Sequence, residues 1–216
     1  MELGKLSEKY EVGKRGTATV GWDSRGLASY GRYQIATGPG TMKRFLEWCW
    51  AQGGWYIDDV YNYLHPLLPS AKSKTGPFAR TWRARVQKIP LHMAQAEHEF
   101  IRETHYERAK MDIWGGAFQA LVVWPALQQV LWSTAVQHGP ASAVRIFHQA
   151  WSKGFDFEDQ TNIAAFISVI YLKRSQRLGK LTERERRAVL NRYRHEERDA
   201  HRLVAEPDLQ PAGLDG

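Results

Sequence analysis

Proline placement constrains this chain more than any other feature. Pro77, Pro90, Pro125 and Pro140 each head a run with helical apolar spacing. Proline lacks the N–H that a first helical turn leaves unbonded anyway, and its fixed φ suits that position. The four sites predict helices over residues 77–88 and 91–112, from 125 to a stop at Gly139, and from 140 to a stop at Gly154. Residues 42–52 give another, between Gly38-Pro39-Gly40 and Gly53-Gly54. Residues 159–178 contain the run 163–172, apolar nearly all round, which predicts a helix at the centre of a bundle. Thr182 and Glu185 form a capping-box pattern for a last helix to about Val204.

One stretch departs from this mainly α pattern. Residues 13–34 hold Gly13, Gly16, Gly21, Ser24, Gly26 and Ser29, with Thr17, Thr19 and Val20 between them. This predicts turns and a short β-hairpin. A polar hairpin in a helical protein is where a site is expected. The segment after Glu206 has no periodicity and reads as a tail, leaving residues 1–205 as one domain, or two lobes sharing a core.

The formal net charge is +7, and residues 173–202 hold eleven Lys/Arg against five Asp/Glu. Such a surface suits polyanions: nucleic acid, acidic headgroups or the bacterial wall. The single cysteine, Cys49, excludes an internal disulfide, and its neighbours Phe45, Leu46, Trp48 and Trp50 predict a buried thiol. The first residues, MELGKLSEKYE, are charged and show no secretory signal, and no apolar run reaches 18 residues. The expectation is synthesis in the cytoplasm, no membrane insertion, and delivery by other machinery. There is no HExxH, P-loop, nucleophile elbow or dinucleotide fingerprint, and Glu97-His98-Glu99 spreads three polar groups around a helix. No metal and no cofactor are expected.

Cleaving a glycosidic bond needs a proton donor and a second carboxylate, acting as base or nucleophile. The donor must be buried enough to stay protonated near neutral pH. Glu11, after Tyr10 and before the glycine-rich hairpin, suits the donor; Asp23, after Trp22 in the hairpin, suits the partner. Spacing by itself leaves both as ordinary surface carboxylates.

The strings Tyr10-Glu11-Val12-Gly13, Gly21-Trp22-Asp23 and Ser29-Tyr30-Gly31-Arg32-Tyr33-Gln34 resemble the catalytic segment of a lysozyme-like family. That family includes phage endolysins and the glycosidase domains fused to type VI secretion VgrG spike proteins, and it is related to chitosanases. The resemblance continues through Phe100-Ile101, Thr104-His105-Tyr106, Trp132-Ser133-Thr134-Ala135-Val136-Gln137-His138-Gly139, Arg174-Ser175 and Asn191-Arg192-Tyr193. It implies a two-lobed helical fold with a small hairpin beside the cleft. It implies Glu11 as general acid, Asp23 as general base, and Ser29, Tyr30, Tyr33, Gln34, Gln137 and His138 as substrate-binding residues. The chitosanase relation implies inversion, with carboxyls roughly 6.5–9.5 Å apart. Two departures stand out. Val12-Gly13-Lys14 replaces the family's Ser-Gly-Gly, and the hairpin is shorter than its usual pattern.

The resemblance therefore implies a peptidoglycan hydrolase of muramidase type, working as a monomer, and an immunity partner if the chain is an effector rather than a phage lysin. A lytic transglycosylase would use Glu11 alone. A chitosanase would need extra carboxylates for a cationic polymer, whereas Lys14, Arg15, Arg25 and Arg32 surround this segment. A nucleic-acid-binding helical domain would explain the basic end but not the hairpin.

Overall fold

The computed structural model describes residues 3–6, 16–23, 27–151 and 155–206. The chain divides into two units, residues 11–102 and residues 1–10 with 103–216.

The first unit begins with an antiparallel sheet of order β1 (Val20–Asp23), β2 (Leu27–Tyr30) and β3 (Ile35–Ala36). Gly21 faces Ser29 across the β1–β2 pair, and Tyr30 faces both Val20 and Ile35. The expected hairpin is present, with a third strand that the spacing does not suggest. Three helices follow: α1 (Thr41–Gln52), α2 (Pro77–Lys88) and α3 (Pro90–Ile101). Each buries a stripe at helical spacing. Met42, Phe45, Leu46 and Cys49 line α1; Phe78, Ala79, Trp82 and Val86 line α2; Met93, Ala96 and Phe100 line α3. The stripes meet in an aromatic core in which Tyr30 packs on Phe78 and Trp82, and Phe45 on Trp82 and Phe100. Cys49 lies in that core, and burial pushes its thiol well above the usual range.

Short π, α and 3₁₀ turns over Tyr56–Tyr61, Asn62–Leu64 and His65–Ser70 join α1 to α2, in a stretch to which the spacing assigns no element. The expected 91–112 helix is also interrupted. Regular α-helix ends at Ile101, widened turns run through Arg102–Glu107, and α-helix resumes at Arg108–Met111. Buried positions step from Ile101 to Tyr106, a five-residue interval that a widened turn accommodates.

The second unit is helical in its described residues: α4 (Gly116–Val123), α5 (Pro125–His138), α6 (Pro140–Trp151), α7 (Gln160–Ser175) and α8 (Glu183–Ala205). The helix buried on most sides is α5, with Val130–Ala135 enclosed without a break. The apolar run suggests instead that 163–172 is central. That helix, α7, buries Ile163, Phe166, Ile167, Ile170 and Tyr171 and leaves Leu172 54% exposed. Its stripe is one-sided, so it packs as a flank. The capping box at Thr182 forms as the pattern predicts: Glu185 Oε2 accepts the Thr182 N–H at 2.8 Å and Thr182 Oγ1 accepts the Glu185 N–H at 3.3 Å. Among the described residues no helix is long and apolar enough to cross a membrane. The expected tail beyond 206 lies outside the described residues.

Candidate active site

Glu11 lies outside the described residues, as does the side chain of Asp23, whose backbone pairs with Leu27 at the end of β1. The other expected residues of the first unit fall on β2 and the turn after it.

That turn is built around a buried carboxyl. Glu97, on α3, is wholly enclosed, and its Oε2 accepts the backbone N–H of Arg32 at 2.7 Å and of Tyr33 at 3.5 Å. Gly31 makes the approach feasible. Its φ is 79°, and a Cβ there would stand 2.1 Å from Glu97 Oε2. Burial raises the Glu97 carboxyl to about 8, against the lowering pull of those N–H groups and the Arg32 guanidinium.

The rest of the turn closes on itself. Gln34 holds a left-handed backbone, φ 52°. Its Nε2 donates to Gly31 O at 2.8 Å and its Oε1 accepts from Ser29 Oγ at 2.8 Å. Gly21 leaves room for this pair, since a Cβ on it would meet Gln34 Oε1 at 2.2 Å. Tyr33 Oη lies 3.0 Å from His98 Nδ1, with both side chains part-exposed. Ser29, buried with 7% of its surface exposed, and Gln34 are thus held together, while the Tyr33 hydroxyl is held by His98.

Tyr30 is not among them. Strand alternation sends it to the opposite face from Ser29. There it is fully buried, and its hydroxyl donates to Ala71 O at 2.8 Å and Ser73 O at 3.0 Å. It is a core residue, and the expectation that it lines a subsite is corrected.

In the second unit, Gln137 and His138 belong to a cluster on α5, α7 and α8. Arg174 of α7 has no exposed surface. Its Nη2 donates to Ser133 Oγ and Gln137 Oε1, each at 2.9 Å, and lies 3.7 Å from Glu196 Oε2. The guanidinium also sits over the rings of Tyr171 and Tyr193, 4.6 and 4.5 Å from their centres. Arg192 Nη2 donates to Gln137 Oε1 at 2.5 Å, and His138 Nε2 lies 3.0 Å from Tyr193 Oη. Burial first, then Arg174, Arg192 and Arg177, lower His138 to about 4. The ring is neutral at physiological pH. Both Gln137 and His138 are part-exposed at the edge of this cluster.

The sequence expectations assign no role to Glu97, Arg174 or Glu196, although a signal exists. Glu97 falls on the buried stripe of Met93, Ala96, Phe100 and Ile101. Arg174 continues the stripe of Ile163, Phe166, Ile167, Ile170 and Tyr171, and Glu196 lies between Tyr193 and Ala200 on that of α8. A charge on an apolar stripe must be bonded or neutral.

The motif strings that these clusters organise run through both units. A family model for the C-terminal region of VgrG3-like type VI secretion system spike proteins matches residues 3–197. The chain belongs to that family. The type VI secretion system spike protein VgrG3 of Vibrio cholerae serotype O1 (strain ATCC 39315 / El Tor Inaba N16961) is 26% identical over 180 residues. The match covers 82% of this chain but only 16% of that relative, so the chain spans a small part of the spike protein's length. Among solved structures, a chitosanase complex superposes with a TM-score of 0.61 at 15% identity, covering 98% of this chain and 92% of that one. The architecture is accordingly the expected lysozyme-like, mainly α fold with a small sheet.

Proposed function

We propose that this VgrG3-like domain is a glycoside hydrolase that cuts the glycan strand of bacterial peptidoglycan after delivery by a type VI secretion system. The observation that carries the proposal is the turn after β2, where buried Glu97, Gly31 and Ser29 fix the part-exposed Tyr33 and Gln34 beside the strand bearing Asp23. Sugar recognition asks for hydroxyl and amide groups in fixed positions, and Tyr33 and Gln34 supply them. Family membership supports the delivery route, and the fold shared with a chitosanase supports glycan cleavage.

In this reading Glu11 protonates the leaving oxygen and Asp23 activates the attacking water, giving inversion. Gln137 and His138 contribute polar groups to the substrate, with His138 as a neutral hydrogen-bonding ring. Bond specificity is of the muramidase type, and an immunity protein guards the producing cell. A chitosanase-like activity is the second reading, favoured by the structural likeness.

The test compares wild type, Glu11→Gln and Asp23→Asn on peptidoglycan sacculi and on chitosan, with products identified by mass. Wild type is expected to release reducing-end muropeptides from sacculi, and Glu11→Gln to lose about 10²–10⁴-fold in rate. Anhydro ends that survive Asp23→Asn would make it a transglycosylase. No soluble product from sacculi sinks the peptidoglycan reading, and release from chitosan alone installs the second.

A further inference from the structure

The first unit carries a basic ledge that the catalytic proposal does not use. Residues 60–96 contain six Lys/Arg and no Asp/Glu. One of the six, Arg85, is buried: its Nη2 bonds Asp59 Oδ1 at 2.8 Å and its guanidinium lies over the Tyr63 ring. The others, Lys72, Lys74, Arg80, Arg83 and Lys88, make no salt bridge among the described residues.

Four of these cations are gathered in one place. Arg80 Nη1 donates to Thr75 O at 3.0 Å, and Arg83 Nη2 donates to Lys74 O at 3.3 Å. The two arginines of α2 thereby fold back onto the loop that bears Lys72 and Lys74. The loop itself is fixed. Tyr30 Oη holds Ala71 O and Ser73 O from below, and Ser70 Oγ accepts the Phe78 N–H. Arg83 lies near enough to Tyr30 to favour its ionised form. Tyr30 ties this loop to β2 from the face opposite Ser29, so the ledge and the proposed sugar contacts lie on the two sides of one strand.

The arginine-rich α8 is different. Its cations alternate with carboxylates, and Arg187–Glu183 and Arg202–Asp199 are paired. The sequence expectation put the wall-attracting charge at that end of the chain, where much of it is compensated locally.

We propose that Lys72, Lys74, Arg80 and Arg83 dock the carboxylates of the peptide stems attached to the glycan strand. This deepens the peptidoglycan reading and rests on it. The stems carry several mobile carboxylates along each strand, which suit a row of cations better than a closed pocket. The ledge would also repel a cationic glucosamine polymer, so it selects between the two glycans that the fold admits. Such attraction speeds encounter and fades as salt screens it.

The experiment measures co-sedimentation on ice of wild type and the double variant Lys72→Glu/Lys74→Glu with intact sacculi. A second arm uses sacculi whose carboxylates have been converted to amides with carbodiimide and ammonia, which leaves the cross-linked polymer intact, and a third adds duplex DNA as competitor. Both lysine side chains are exposed, so unchanged thermal melting is expected. At about 20 mM salt the variant should bind intact sacculi about tenfold more weakly, and the gap should close near 300 mM. Wild type should bind amidated sacculi more weakly than intact ones. Equal binding by variant and wild type, equal binding to intact and amidated sacculi, or salt-independent binding by wild type would each overturn the ledge. Displacement by DNA at matched charge would make it a general polyanion surface and overturn the stem assignment. Product analysis of wild type separates the two claims. Carboxylate-dependent binding without cleavage leaves the ledge and removes the hydrolase; cleavage with unchanged variant binding does the reverse.

Discussion

The Glu97 carboxyl accepts the backbone N–H of Arg32 at 2.7 Å, joining a helix to a turn 65 positions earlier in the chain. A carboxyl enclosed in this way is neutral over much of the physiological range, because burial raises it to about 8 from 4.5. The sign of its linkage follows. Its contribution is complete below about pH 4.5 and is lost as pH rises through about 8. Glu97→Gln, which keeps an acceptor for the two N–H groups without a titrating proton, should flatten that decline. Thermal unfolding of both proteins from pH 4.5 to 8.5 measures it, and parallel curves would contradict it. Glu97→Ala should cost roughly 1–3 kcal/mol, since the turn's N–H groups lose their acceptor.

His138 predicts the opposite limb. Its folded value of about 4 lies below the ordinary 6.5, so its contribution is present above pH 6.5 and is lost as pH falls through about 4. His138→Gln should remove that part of the acid sensitivity while leaving the alkaline side unchanged. Denaturant midpoints at pH 4, 5.5 and 7 check this, and an unchanged acid limb would count against it.

Arg174 and Glu196 should behave as a unit. Removing either leaves the other charge buried, which costs about 3–5 kcal/mol. Arg174→Met and Glu196→Leu are each expected to destabilise strongly, and the double variant by much less than their sum. A double-mutant cycle in urea reads the coupling, and strict additivity would refute it.

Much of the helical unit was legible because its signals are local. Pro125 and Pro140 open helices where they stand, and Thr182 with Glu185 caps α8. The centrality of α5 was not legible, because it depends on which faces find partners and not on how apolar a run is. In the candidate site, Ser29 and Gln34 are named by the family resemblance and not by spacing, and their mutual bond depends on the strand pairing that brings them together. The placement of Tyr30 was not legible, since a tyrosine reads alike on either face of a strand until the strand's register is known. Glu97-His98-Glu99 has no metal spacing, and what marks Glu97 is the apolar stripe of α3, on which it alone of the three falls.

The closed turn after β2 has one more consequence. Gly31 and Gln34 both hold left-handed backbone, and the Gln34 amide is already bonded on both sides. The conformational entropy of this segment is therefore given up during folding, not when a ligand arrives. Under the proposed function, a sugar docking here would meet groups whose freedom is already spent, so its affinity would depend on the rigidity of the turn. Loosening Gly31 or Glu97 would weaken binding at sites that neither residue touches.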